Sequence, residues 1–448
     1  MISQTGTVAA AALLLLGIGQ VRVLRAQEPE SQDNRRPAEH SDEAVREQGK
    51  PFWESLPFDL RGFWELRGGV RTGEDKHQSE DATLAETRLQ LEVSEWLDRG
   101  QFRLKTDFLY DAVLEEATVD VREASVLVTP FAFVDLKIGR QVLTWGTGDY
   151  IFINDLFPKD WEAFLIGRDD EYLKAPSDAV KASFYTSLFN LDVVYTPLFN
   201  ADRFIDGERI SYFNPQLGRL AGEDARIRTR RRDEWFDDSE TALRLYRSIS
   251  GYDVALYAYD GFWKSPVGFD PGWGKATFPR LSAFGASARG RWWKGVGTIE
   301  FGYYDSRDDR SGNDPFVPNS QLRFLIGYEQ EVAKDFTVGG QYYLEHMSDY
   351  SAYLRGLPAG SDGTDEDRHI LTVGLTKLAM YQNLKLSLFT FYSPSDRDAY
   401  LRPNVHYRIN DRWSIKGGAN VFLGEEQQTF FGQFQDNTNV YFGARCSF

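Results

Sequence analysis

The chain has little of what marks several common classes of protein. It has one cysteine, Cys446, so no intramolecular disulfide is possible. After residue 20, no apolar run is long enough to cross a bilayer as a helix. The net charge of −16 argues against a nucleic-acid partner. The histidines lack the spacing of metal ligands, so we assign no metal site and no cofactor: His40, His77, His346, His369 and His406.

The amino-terminal segment has the pattern of an export signal. An apolar run from Val8 to Ile18 has the length of a signal-peptide core, and Ala26-Gln27 is a plausible cleavage point. A lone membrane anchor would need a longer run. We therefore predict a signal peptide over residues 1–26, a polar periplasmic lead-in over 27–60 and a folded domain over 61–448.

The last ten residues alternate strictly between apolar and polar side chains. One face carries Val440, Phe442, Ala444, Cys446 and Phe448, and the other face is mostly polar. This period of two predicts a strand with one face buried or in lipid. A soluble sandwich could end in such a strand, but a terminal strand that closes on Phe resembles the assembly signal of bacterial outer-membrane β-barrels.

The same alternation recurs along almost the whole chain. Apolar residues make up only 42% of the sequence while aromatic residues make up 15%, a balance that suits strands with one face in lipid and one in water. Short turns alternate with longer loops, as they do when turns face the periplasm and loops face outside. We predict an all-β fold, a transmembrane antiparallel β-barrel of about 18 strands in the bacterial outer membrane. Aromatic residues near strand ends are expected to form interfacial girdles: Tyr110, Trp292, Trp293, Tyr303, Tyr304, Tyr342, Tyr343, Tyr392 and Tyr407.

Charged residues share the polar face of the first four predicted strands. The bases, together with acids such as Glu86 and Asp107, would line the lumen: Arg67, Arg71, Arg88, Arg103, Lys105 and Arg122. In one interpretation they form a basic wall that handles anionic solute. In the other they belong to a ladder of cross-strand ion pairs that stiffens the wall. The sequence leaves both open.

A long segment over residues 144–177 is the most distinctive connection. Loops of this length are usually functional, so we predict a constriction folded into the lumen. Its candidate residues are Arg140, Trp145, Asp149, Asn154, Asp155 and Asp160. The alternative is that these residues only pin the loop to the wall. Arg140 breaks the apolar phase of its strand, which predicts a β-bulge there.

Several short motifs resemble those of one family. Matching segments are Arg122-Glu123-Ala124, Gly139-Arg140-Gln141, Trp145-Gly146, Asp149 and Asn154-Asp155. They resemble the entry region of alginate-export-type barrels and a related group of porin-like outer-membrane proteins. The resemblance implies a monomeric barrel that conducts a solute or polymer.

We therefore expect a non-enzymatic outer-membrane channel, porin-like or an export conduit, for small anionic solutes or an exported polymer or lipid. The expected partners are membrane lipid and lipopolysaccharide, the barrel assembly machinery through Phe448, and a periplasmic export partner. Two alternatives stay open: a barrel enzyme acting on envelope lipids, and a closed scaffold or adhesin that presents loops 197–240 and 346–367. The first loop carries an arginine run at positions 226–232, which is either a polyanion site or a solvated, self-paired loop.

Overall fold

The computed structural model describes residues 58–357 and 363–448. The predicted signal peptide and nearly all of the lead-in lie outside the described residues. Among those described, no helix has the length and apolar character needed to cross a membrane.

Eighteen strands form a single antiparallel sheet, and the last strand closes it by pairing with the first. The predicted fold class and strand number are confirmed. Two small hairpins, Tyr212–Asn214 with Arg219–Ala221 and Gly268–Asp270 with Lys275–Thr277, lie inside loops and stand outside the barrel sheet. The strands are β1 Asp59–Arg71, β2 Ala82–Leu97, β3 Gly100–Asp111, β4 Glu116–Phe131, β5 Val134–Val142, β6 Pro176–Tyr185, β7 Asn190–Thr196, β8 Tyr212–Asn214, β9 Arg219–Ala221, β10 Glu240–Ile249, β11 Tyr252–Phe262, β12 Gly268–Asp270, β13 Lys275–Thr277, β14 Arg280–Trp292, β15 Gly295–Ser306, β16 Gln321–Ala333, β17 Phe336–Met347, β18 Asp367–Ala379, β19 Leu384–Ser393, β20 Asp398–Arg408, β21 Trp413–Gly424 and β22 Asn439–Ser447.

Strand β1 shows why this sequence forms a membrane barrel. Trp64, Leu66 and Val70 point outward and are 43%, 45% and 49% exposed, while the intervening Glu65 and Arg67 are buried in the lumen. Successive strand residues face opposite sides, so one strand presents an apolar face to lipid and a charged face to the interior. Such an outer face would be unfavourable in water and is stable in a bilayer.

The connections have two lengths, and each length belongs to one end of the barrel. At one end all eight turns are short, at 98–99, 132–133, 186–189, 250–251, 293–294, 334–335, 380–383 and 409–412. The long loops all leave the opposite end, where two connections, 112–115 and 394–397, are also short. The short-turn end is therefore assigned to the periplasm.

The predicted aromatic girdle is only partly right. Trp292, Trp293 and Tyr392 lie on the outer surface near strand ends, as expected. Tyr304 and Tyr343 are 2% and 5% exposed and face the lumen instead. Their position in the two-residue period of β15 and β17 puts them inside, so the neighbours at 303 and 342 take the outer positions.

The apolar core lies inside the barrel. The loop over residues 143–175 enters the lumen, where Ile153 and Phe164 pack with the inward-facing Tyr304 and Tyr400. Within this lumen loop is one turn of helix, Trp161–Ile166, which ends at Gly167 with a left-handed φ of 89°. A residue with a side chain would be strained there, and its Cβ would lie 2.3 Å from the Tyr441 ring.

Arg140 does not lie where the sequence placed it. It is in β5 and shares the face of Ile138, which is 46% exposed on the outer surface. Its guanidinium pairs with Asp178 of β6 at 3.0 Å, outside the lumen. The register of β5 is continuous there, so the predicted bulge is wrong. The irregularity lies instead in β4, where Arg122 is the extra residue between Glu123 and Val121 in the pairing with β3.

Candidate functional site

The lumen loop crosses the barrel and contacts its far wall. Glu300 of β15 accepts hydrogen bonds from the backbone N–H of Gly148 at 2.8 Å and from the side-chain amide of Asn154 at 3.0 Å. The backbone N–H and hydroxyl of Thr147 also donate to this carboxylate. A buried carboxylate is stabilised by several donors, so Glu300 fixes the first half of the loop against β15.

Asp169 fixes the second half of the loop to the strands that close the barrel. Its carboxylate pairs with Arg67 at 2.7 Å, with Lys416 at 2.8 Å, and with Arg445. Arg67 also donates to the carbonyl of Gly167 at 2.7 Å. Burial would raise the pKa of Asp169, but the three positive charges outweigh burial and hold that pKa well below its usual range.

The predicted lumen residues of β2 and β3 form a buried ion-pair network. Arg88 pairs with Asp107 at 2.6 Å and with Glu86 at 3.2 Å. Glu86 in turn accepts hydrogen bonds from Arg168 of the lumen loop. The guanidinium of Arg88 lies over the ring of Tyr172, 4.0 Å from its centroid. The wall and the loop therefore share one network.

The β-bulge in β4 turns the side chain of Arg122 toward the last residues of the lumen loop. Its guanidinium donates to the carbonyls of Glu171 at 2.9 Å and Lys174 at 2.8 Å. Lys105 pairs with the Glu171 carboxylate at 3.0 Å. Both predicted lumen bases therefore hold the loop.

The two remaining predicted bases lie at opposite ends of the lumen. Arg71 lies near the long-loop end, 3.8 Å from Asp75. Arg103 lies toward the short-turn end, 3.7 Å from both Glu92 and Glu123. Every predicted lumen base thus has a carboxylate or carbonyl partner, which is the arrangement of the ion-pair ladder.

The predicted constriction residues divide by role. Trp145 packs against Phe157, with ring centroids 4.9 Å apart. Asp155 pairs with Lys159 at 3.0 Å, and Asp160 accepts a hydrogen bond from Ala163 at the start of the short helix. These three residues hold the loop's own fold, whereas Asn154 fastens the loop to β15 through Glu300. Only Asp149 reaches open space, where the Gln341 amide donates to it at 3.1 Å.

Beside the lumen loop, toward the short-turn end, lies a cavity of about 740 Å³. We call it the vestibule. Its bases are Arg67, Lys174, Lys385, Arg402, Lys416 and Arg445, and its acids are Glu65, Asp149, Asp169, Asp170 and Glu329. Six positive groups face five negative ones, so the lining is strongly charged but nearly balanced.

The sequence analysis missed the vestibule's main basic feature. Lys385 pairs directly across the strands with His406, and His406 pairs with Lys416. These residues are 21 and 10 positions apart, so only strand register brings them together. The alternation placed Lys385 and Lys416 on a polar face, which was the one available signal.

Two of the five arginines in the run of the outer loop pair within that loop. Arg226 pairs with Glu208 and with Asp206, the latter at 3.0 Å. Arg232 lies 3.1 Å from Asp238. The same loop sends Arg209 inward, where it is fully buried against Asp111 and pairs with Glu162 at 3.0 Å. This loop is therefore fastened to the lumen loop.

Comparison with known proteins defines the fold. No protein-family model matches the chain, and no curated protein matches it. Among solved structures, Acinetobacter baumannii OccAB4 is 8% identical, with a TM-score of 0.53 over 87% of this chain and 97% of that one. Acinetobacter baumannii OccAB3 is 9% identical, with a TM-score of 0.52 over 87% and 99%. The chain has the fold of outer-membrane β-barrels. The resemblance to alginate-export barrels stays a prediction.

Proposed function

We propose that this barrel is a diffusion channel for small charged solutes. The observation that carries the proposal is the vestibule, a charged space of about 740 Å³ left open beside a loop that fills much of the lumen. Channel specificity depends on pore size and on the charges that line it, and here both are set by the lumen loop and the strands beyond it.

The same loop favours small solutes over an exported polymer. It is held on β1 by Arg67, on β15 by Glu300 and on β20 by Arg402, which lies 3.0 Å from Asp170. These anchors surround the lumen, so a bulky chain would have to displace the whole loop. We expect a narrow passage rather than an open bore.

We propose a weak preference for anions. Arg67 and Arg88 are neutralised by carboxylates within 3 Å, so a strongly basic wall is not the source of selectivity. The near balance of the vestibule leaves a small positive excess. A field of this kind is focused by the low-dielectric walls and weakens as salt rises.

The contacts of the candidate nucleophile, Ser287, do not support the alternative of a barrel enzyme. Ser287 is the centre of the segment Gly-Ala-Ser-Ala-Arg, which differs only at its last position from the Gly-x-Ser-x-Gly pattern of a nucleophile elbow. Its hydroxyl shares a hydrogen bond of 2.9 Å with the hydroxyl of Tyr257. Across the described residues no hydrogen bond joins Ser287 to a histidine. A nucleophilic serine needs a general base within reach, so we do not propose hydrolysis.

Planar-bilayer recording of the refolded protein tests the channel. We expect steady single-channel currents and, under a KCl gradient, a reversal potential with modest anion preference that shrinks as salt concentration rises. A folded barrel without any conductance would contradict the proposal and favour a closed scaffold.

A further inference from the structure

Away from the paired network around Asp169, the acidic and basic groups of the vestibule lie on different strands. Glu329 of β16 and Asp149 of the lumen loop lie on one side. Lys385 of β19 and His406 of β20 lie on the other, next to Lys416 of β21, which pairs with Asp169. Small wall residues such as Gly339, Gly374, Thr376 and Ser387 lie between them. The cavity is therefore polarised along the wall even though its total charge is small.

Several of these groups have no protein partner. Within the described parts of the chain, neither Lys385 nor His406 makes a side-chain hydrogen bond or ion pair, and Glu329 makes no ion pair. Lys385 and Glu329 are also exposed to the cavity. This distinguishes them from the buried, paired network around Asp169. Charged groups left unpaired in a confined space are available to a ligand.

The acidic side also offers acceptors for a donor-rich group. Gln341 and Thr372 are direct cross-strand partners, only 8% and 3% exposed, and both line the vestibule. The amide oxygen of Gln341 and the hydroxyl of Thr372 have no hydrogen-bond partner among the described residues. Unsatisfied buried oxygens are uncommon. An ammonium group, which carries three donors, matches them and the two carboxylates.

The spacing of the two sides sets the length of the ligand. Strands β16 and β19 are three intervals apart in the sheet, which is roughly 14 Å at about 4.8 Å per interval. The register also places Glu329 level with Phe389, which is four residues, or roughly 13 Å, along β19 from Lys385. The two backbone positions are therefore roughly 20 Å apart, and long side chains on both sides shorten the gap to roughly 9–14 Å, the span of three or four residues at about 3.5 Å each.

We propose that the vestibule binds short zwitterionic peptides, with the ammonium at Glu329 and Asp149 and the carboxylate at Lys385 and His406. This deepens the proposed channel function and rests on it, since the ligand is a solute of that channel. A ligand anchored at both ends distinguishes this site from one that only attracts anions.

Equilibrium binding to the refolded barrel in detergent tests the inference independently of conductance. The probes are triglycine, N-acetyltriglycine, which lacks the ammonium, and triglycine amide, which lacks the carboxylate. Triglycine should bind most tightly. Lys385→Gln should weaken triglycine and N-acetyltriglycine about fivefold and leave the amide unchanged, because an exposed ion pair contributes roughly that much. Glu329→Gln should weaken triglycine and the amide and leave N-acetyltriglycine unchanged.

Two matched variants control for general charge effects. Lys377→Gln removes a lysine from β18, the neighbour of the Lys385 strand, and Glu331→Gln removes a glutamate two residues along β16. Neither residue lines the vestibule, so both should bind all probes as the wild type does. Equal binding of triglycine and N-acetyltriglycine, with no effect of Glu329→Gln, would show an anion site and overturn the inference. No binding of any probe by a protein that conducts ions would also overturn it and leave the channel function standing.

Discussion

Asp169 shows how much of the lumen depends on one side chain. It meets cations from β1, β21 and β22, so it ties the lumen loop to the seam where the barrel closes. We expect Asp169→Asn to keep the barrel and loosen the loop by about 1–3 kcal/mol, because Arg67 loses a buried ionic partner. Trypsin should then cut at Lys159, Arg168 or Lys174 at least about fivefold faster than in the wild type.

Asp411→Asn is the matched control, since Asp411 lies exposed in a short turn. It should leave the cleavage rate unchanged. Equal protection of Asp169→Asn and wild type would mean that the remaining anchors hold the loop without Asp169.

The same residue sets the sign of a pH dependence. Because the pKa of Asp169 in the folded protein lies below its unfolded value, its stabilisation is complete above the usual pKa of about 3.9 and is lost as pH falls through the lowered pKa. Hydrogen exchange of loop peptides, corrected for the intrinsic rate, should match at pH 7 and pH 5 and rise below about pH 3. In Asp169→Asn this acid-induced rise should be smaller. A rise that begins near pH 6 would identify a histidine as the titrating group.

Gly285 of β14 lies directly against Asn154 of the lumen loop. A Cβ at this position would lie 1.8 Å from Oδ1 of Asn154 and 2.7 Å from the carbonyl oxygen of Phe301. Gly285→Ala must therefore displace Asn154 from Glu300, and we expect a loss of about 1–3 kcal/mol. Thermal unfolding should show a lower Tm than for Gly68→Ala, whose Cβ would meet nothing nearer than 4.0 Å. Equal Tm values would mean that the loop adjusts without cost.

At the scale of elements, the lumen loop is the part on which conduction should depend. Replacing residues 149–172 with a short Gly-Ser linker removes the short helix and the contacts of Asp169 and Tyr172. We expect single-channel conductance to rise severalfold, because the wall residues then border an open lumen. A comparable shortening of the outer loop that contains helix Tyr350–Gly356 should leave conductance unchanged. If both deletions have the same effect, the lumen loop is not the constriction.

The strands could be predicted and the path of the lumen loop could not, for one physical reason. Adjacent residues of a strand face opposite sides of the sheet, so alternation in the sequence, together with turn residues, locates each strand. The loop's path depends on contacts such as Tyr400 with Phe164 and Asn439 with Leu165, across 236 and 274 residues. Arg140 shows where alternation misleads. Its charge predicted a position in the lumen, but it faces outward near the end of β5, where it forms an ion pair with Asp178.

At the scale of the whole molecule, register decides which charges meet. Lys385, His406 and Lys416 form a row only because β19, β20 and β21 pair without a slip at those positions. A shift of one residue would turn each side chain to lipid. The lumen's electrostatics is therefore a property of the closed sheet, and no single segment carries it.

The last strand closes the barrel sheet. Strand β22 pairs with both β1 and β21, and the backbone of Phe448 exchanges two hydrogen bonds of 3.0 Å with Gly62. Phe448→Ala keeps those backbone bonds, so the refolded barrel should have nearly the wild-type Tm. If Phe448 is read by the assembly machinery, the amount of Phe448→Ala in the outer membrane of cells should fall severalfold. Val440→Ala removes another outward apolar side chain from the same strand and should accumulate normally. Equal amounts of the two variants would make the aromatic terminus dispensable for assembly, and β22 would then matter only as the strand that closes the sheet.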